Sequence, residues 1–151
     1  YGKPYQPGAI IKNDIEYILL LRKGGAYRSV STMQKALSML TKDEMQSWFR
    51  SFWADIRGSS TRAGHPAPYP AELAERLIRM FSFAGDTVLD PFAGTCSTTV
   101  AAIESGRHSI GNELEPRYLD LARTRVEREV GKTRMFGATR ASLLVEKQRT
   151  P

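Results

Sequence analysis

Cysteine is nearly absent: Cys96 is the only one in 151 residues, beside two histidines. One thiol excludes an intramolecular disulfide and any cysteine-cluster metal site, so no metal is expected, and it fits a reducing cytoplasm. Long apolar runs are missing as well. No 18-residue apolar stretch and no secretory signal pattern occurs, so a soluble protein with no membrane partner is expected. The glycine motifs of phosphate binding are also lacking. The turn after residue 90 keeps only Gly94, too few glycines for G-x-G-x-x-G, and no Gly-Lys-Ser/Thr follows to supply a lysine and a magnesium-binding hydroxyl. A fourth absence is Ser or Asp followed by two prolines and an aromatic residue. The nearest strings, Lys3-Pro4-Tyr5 and Ala67-Pro68-Tyr69, lack the paired prolines.

What is present suits one domain with a real core, since 41% of the residues are hydrophobic. The net charge of +6 is unevenly spread. Residues 1–64 carry ten Lys/Arg against five Asp/Glu, residues 65–130 seven against ten, and residues 131–151 five against one. A near-neutral to acidic centre between basic flanks suits a polyanionic partner whose phosphates meet Lys and Arg, and equally a solvated basic surface.

The chain is organised around residues 87–113, TVLDPFAGTCSTTVAAIESGRHSIGNE. Thr87, Val88 and Leu89 favour a strand, Asp90-Pro91 interrupts it, and Gly94 permits a turn. Residues 97–104 then form a small-residue helix ending at Gly106, and residues 108–111 a second strand. This α/β unit puts Asp90 and Glu113, 23 positions apart, at the carboxyl ends of neighbouring strands. A nucleotide-binding sheet keeps its ribose acid at about that offset, some 20 residues past the glycine turn. A ligand with a ribose and an adenine but no phosphates, such as S-adenosylmethionine, fits two acids and a single glycine. An ordinary structural turn fits them too.

VLDPFAGTCSTTVAA resembles the S-adenosylmethionine motif of amino-group (cytosine or adenine) DNA methyltransferases, and IGNELEPRYLDLA resembles the motif that follows it. HPAPYPAELAERLI is similar to the segment preceding that motif in permuted members, and KPYQPGAIIKNDIEYILLLRK to a strand region still earlier, so the resemblance spans about residues 3–130. It implies a Rossmann-like S-adenosylmethionine-dependent methyltransferase fold, with residues 1–135 as the cofactor-binding part and 136–151 as a basic tail. It implies a cofactor site at His65, Tyr69, Asp90, Phe92, Gly94, Thr95, Ser97, Thr98, Glu113 and Leu114, with Glu113 on the ribose hydroxyls and Asp90 beside the methionine group. Cys96 stands where the family usually has a second glycine. Because Ser97 and Thr98 can already start the helix, an ordinary backbone conformation is expected at Cys96. The family's Pro-Pro-aromatic motif, which holds a base flipped out of double-stranded DNA, is the tetrapeptide missing here. The fold is therefore expected to be incomplete, its amino-terminal catalytic part absent or on a second chain, and no catalytic residue is assigned. A non-catalytic S-adenosylmethionine- or DNA-binding module acting through a partner, and an RNA or protein methyltransferase, are the alternatives.

The remaining segments follow from local patterns. Residues 15–21 read as a strand capped by Arg22-Lys23, and residues 24–31 as a turn-rich connection that, with Arg28, faces DNA phosphates or solvent. Residues 41–53 read as a helix with a Thr41/Glu44 capping box and an apolar stripe, Met45, Trp48, Phe49 and Phe52, expected in the core. Residues 55–64 form a polar loop with Arg57 and Arg62, and HPAPYP, residues 65–70, a stiff loop edge. Residues 71–81 read as a helix with Leu73, Leu77, Ile78 and Phe81 inward. Residues 116–130 read as another, with Tyr118, Leu119, Ala122 and Val126 on one side and Gly131 as its stop; Leu143 to Val145 mark a last strand or a loose end.

Overall fold

The computed structural model describes residues 15–56 and 69–135, with side chains to residue 132. His65, Arg57, Arg62 and the 136–151 tail lie outside the described residues. The element order is α1 (Thr32–Leu37), α2 (Lys42–Trp48), α3 (Ala71–Phe81), β1 (Thr87–Asp90), α4 (Ser97–Glu104), β2 (His108–Gly111) and α5 (Pro116–Met135).

The centre forms as its residue pattern predicts. β1 and β2 pair in parallel, Thr87 opposite His108 through Asp90 opposite Gly111, with α4 as the crossover. α3 carries strong helix formers and the i,i+4 pairs Glu72–Arg76 and Glu75–Arg79. Its Ala74 and Ile78 meet Ala101 and Ala102 of α4, and these alanines let the two helices approach closely. Along α5, Tyr118, Ala122, Val126 and Val130 recur at four-residue spacing and are buried. α4 covers one face of the sheet, where Thr99 and Ser109 join hydroxyls at 3.0 Å. On the opposite face the register partners Leu89 and Ile110 stay 61% and 54% exposed.

Several expectations need correction. Residues 15–21 form no strand, because among the described residues no neighbour supplies a hydrogen-bonded edge. α2 stops at Trp48, and Met45, Phe49 and Phe52 are exposed rather than core. What holds α2 is polar and cationic. The Arg76 guanidinium lies 5.7 Å from the Trp48 ring and 5.5 Å from the Trp53 ring, Arg79 lies 4.9 Å from Trp48, and Arg79 pairs with Glu44. α1 has no counterpart in the sequence reading, although Ser31 and Gln34 form a capping box that marks its start. α5 runs through Gly131 to Met135, since Lys132 bonds back to Glu129 at 2.7 Å and a lone glycine costs a helix only about 1 kcal/mol. Phe81 and Leu119, expected inward, are 51% and 39% exposed. Arg28, offered to phosphates, instead pairs with Asp86. Burial raises the Asp86 pKa, but the Arg28 guanidinium and the Phe83 amide outweigh it and hold the carboxyl below its usual range.

Cys96 overturns the expected backbone: its φ is +61° in the left-handed region, as is Gly94 at +51°. Two such residues flanking Thr95 fold the turn back tightly, and Cys96 N–H donates to Ala93 O at 2.7 Å. A left-handed conformation costs a residue with a Cβ roughly 1–2 kcal/mol, which glycine avoids, less about 0.5–1 kcal/mol of its own chain entropy. Cys96→Gly is therefore expected to stabilise the chain by up to about 1 kcal/mol, and β-branched Cys96→Val to destabilise it. Thermal denaturation of the three forms reads the order directly, and a valine variant at or above wild type would refute it.

Candidate functional site

The turn between β1 and α4 and the end of β2 converge where parallel strands open toward ligands, at their carboxyl ends. Asp90, the last residue of β1, is held from three directions. Its Oδ1 accepts from Phe92 N–H at 3.0 Å, and its Oδ2 accepts from the hydroxyls of Thr98 at 2.5 Å and Tyr69 at 3.1 Å. The Tyr69 and Thr98 hydroxyls also lie within hydrogen-bonding reach of each other, so two protons are shared among the three oxygens. Burial raises the Tyr69 pKa and the Asp90 charge adds to it, so the phenol stays protonated and donating. Glu113, just past β2, accepts from Gly94 N–H at 2.8 Å through one oxygen and from Glu115 N–H at 2.8 Å through the other. The two acids thus fix the turn between them.

The close approach depends on Gly111. A Cβ there would meet Ala93 Cβ at 3.0 Å, so any larger residue would require Ala93 to give way by a few tenths of an ångström. A residue that the sequence reading did not single out locks the other side. Arg125 of α5 donates to Thr95 O at 3.2 Å and Ser97 Oγ at 3.0 Å. Its signal was available, since it falls three and seven residues after Ala122 and Tyr118, on the face that α5 buries. Phe92 and Leu114 follow the two acids and are 86% and 83% exposed, leaving apolar surface beside the carboxylates.

Of the residues expected to form the site, Tyr69, Asp90 and Thr98 share one hydrogen-bonded cluster, Gly94 and Glu113 a second, and Thr95 and Ser97 the Arg125 anchor. His65 lies outside the described residues. Burial pushes the Cys96 thiol pKa up and the Asp90 and Glu113 carboxylates add to that; together they outweigh the opposing Thr99 hydrogen bond and favour the protonated thiol. Among the described residues no group of His, Cys, Asp and Glu has the arrangement of a metal site, and no helix is long and apolar enough to cross a membrane.

Comparison with known proteins bears on the family and the fold. A family described as DNA methylase matches residues 2–124. The Type II methyltransferase M.MthZI of Methanothermobacter thermautotrophicus is 41% identical over 80% of this chain and 36% of its own length. The Type II methyltransferase M.MjaI of Methanocaldococcus jannaschii is 44% identical over 72% of this chain and 37% of its own. The chain therefore spans little more than a third of the length of these two curated relatives. A protein described as a DNA modification methylase of Thermus thermophilus, solved with S-adenosyl-L-methionine, superposes with a TM-score of 0.72 at 52% identity. The match covers 86% of this chain and 50% of that one. The mixed α/β arrangement with its small parallel sheet is thus part of a Rossmann-like methyltransferase fold.

Proposed function

The chain belongs to the family of amino-group DNA methylases, and from that premise we propose that it is the S-adenosylmethionine-binding part of an enzyme that methylates the exocyclic amino group of cytosine or adenine in DNA. The observation carrying this reading is the pair of carboxylates, Asp90 and Glu113, on the ends of adjacent parallel strands and tied into one left-handed turn. S-adenosylmethionine, when bound, supplies an electrophilic methyl group. The chain's own residues supply position. Glu113, fixed by the Gly94 and Glu115 amides, is a preorganised acceptor for ribose hydroxyls. Asp90, oriented by Tyr69 and Thr98, presents its charge to the cationic methionine end. The turn Gly94 to Thr98, held by Arg125, brings backbone close to the ligand, and the exposed Phe92 and Leu114 offer apolar surface to a flat base. His65 completes the proposed cofactor set. That fit is chemical: acceptors for hydroxyls, an anion for a cation, and no phosphate-binding loop for a ligand without phosphates.

Calorimetry with S-adenosylmethionine and its demethylated product tests this. The chain is expected to bind both, and Glu113→Ala to weaken binding by about 1–3 kcal/mol, because hydroxyls lose their partner on burial. Unchanged affinity in a folded Glu113 variant removes that residue from the site, and no binding by the unaltered chain removes the reading itself.

A further inference from the structure

We propose that the Tyr69 hydroxyl is a specificity-determining group: by donating toward Asp90 it limits how far the site favours the sulfonium of S-adenosylmethionine over the neutral demethylated product. This rests on the cofactor site proposed above. Tyr69 stands just before Pro70, the N-cap of α3, and its half-buried ring packs against the cluster of Ala74, Ile78, Ala101 and Ala102. The core thus fixes the phenol, and its hydroxyl reaches across to the end of β1. There it meets Asp90 Oδ2 at 3.1 Å, and the Thr98 hydroxyl meets the same oxygen at 2.5 Å. With Phe92 N–H on Oδ1 at 3.0 Å, three of the roughly four acceptor sites of the carboxylate are filled from the described residues.

Orientation of Asp90 does not need all three donors. Phe92 N–H and Thr98 hold one oxygen each, and both belong to the turn and helix that follow β1, so the carboxylate plane is fixed without Tyr69. What the phenol adds is electrostatic. A hydroxyl proton aimed at a carboxylate draws off part of the negative field that a neighbouring cation feels, and water screens that field poorly in a half-buried site. Burial keeps the phenol protonated, and its proton goes either to Asp90 or to Thr98 Oγ1. Both arrangements damp Oδ2: the first directly, the second through a Thr98 hydroxyl that becomes a stronger donor for being bonded itself. The damping has a chemical use. Charge at the sulfonium falls as its methyl group departs, so binding that depends on that charge stabilises the starting state more than the transition state and does not speed transfer. An undamped Asp90 would hold the charged cofactor more tightly and leave the barrier higher.

Calorimetry with S-adenosylmethionine and its demethylated product compares the unaltered chain with Tyr69→Phe, which keeps the ring and removes the hydroxyl. A third form, Tyr69→3-fluorotyrosine, is a stronger donor and is measured at a pH where the phenol is protonated. The readout is the ratio of dissociation constants, product over cofactor. Tyr69→Phe is expected to raise that ratio at least about threefold, the scale of one net hydrogen bond, and the fluorinated form to lower it. A ring that served packing alone would move both affinities together, so an unchanged ratio overturns the proposal, as does a fall for Tyr69→Phe. In an Asp90→Asn background the Tyr69→Phe effect on the ratio is expected to vanish, and its persistence also overturns the proposal, because the hydroxyl would then not act through the carboxylate. If the phenylalanine form fails to fold, the fluorinated form decides, and a ratio that does not fall overturns the proposal. Failure of the unaltered chain to bind either ligand overturns the proposed function and this inference with it, whereas two bound ligands and an unmoved ratio overturn this inference alone.

Discussion

Ile78→Ala is expected to lower the stability of the chain by about 2–4 kcal/mol. Ile78 is 6% exposed and, among the described residues, is the only large side chain in a buried cluster whose other members are Ala74, Ala101 and Ala102. The alanines of the cluster have nothing longer than a methyl group to move into the space, so the site collapses only in part, and the partly buried Tyr69 and Val88 lose a contact. Small domains are stable by only about 5–15 kcal/mol in total, so this is a large fraction. Phe81→Ala serves as the contrast. That ring is bigger, but at 51% exposure its loss should cost under about 1 kcal/mol. Urea denaturation of both variants decides the matter, and similar costs would show that the core does not lie between α3 and α4. The experiment also bears on the site, because Tyr69 packs against this cluster while its hydroxyl holds Asp90.

Legibility in the sequence followed the range of the interactions. α3, β1, α4 and β2 appear at the bounds their residues announce, since each combines its own period with its own punctuation: Pro70 before α3, Asp90 closing β1, Gly106 after α4. The two acids could be placed for the same reason, because a strand-turn-helix-strand unit fixes where its strand ends fall. Where the outcome depended on neighbours, local pattern misled. Residues 15–21 have the composition of a strand but, among the described residues, no strand beside them, and the stripe on α2 has the period of a core face but stays largely exposed. Cys96 failed differently. Nothing in its identity signals positive φ; it accompanies the local Ala93–Cys96 turn bond and the fit of the turn against Gly111, which is a tertiary fact. Arg76 shows the same limit, since a charged residue on an amphipathic helix became 4% exposed through Trp48, Trp53 and Asp55, far from it in sequence.

The chain by itself is expected to transfer no methyl group to DNA, even where it binds S-adenosylmethionine. Methyl transfer to an exocyclic amino group needs the base out of the stack, held by hydrogen bonds on one side and by an aromatic ring on the other. On the proposed reading the acids, hydroxyls and turn position a cofactor, and none of them is assigned to a pocket for a base. The chain also contains no Ser- or Asp-Pro-Pro-aromatic string. Positioning supplies much of an enzyme's rate, on the order of 7–11 kcal/mol for well-oriented reactants, so half a pocket gives essentially none of it. DNA binding need not vanish with the chemistry. Arg22 and Lys23 are exposed, and phosphate contacts require no catalytic pocket, so weak association that falls steeply with salt is the expected remnant of function. The measurement is incorporation of labelled methyl into mixed-sequence DNA, first by the chain alone and then with the unmatched portion of the Thermus thermophilus methylase added. Background incorporation followed by a rise of several orders of magnitude on complementation is the expected pair of results. Transfer by the chain alone would mean that its catalytic groups lie among residues assigned here to cofactor binding. Failure of the pair, with S-adenosylmethionine bound, would mean that this site holds the cofactor for some purpose other than methylating DNA.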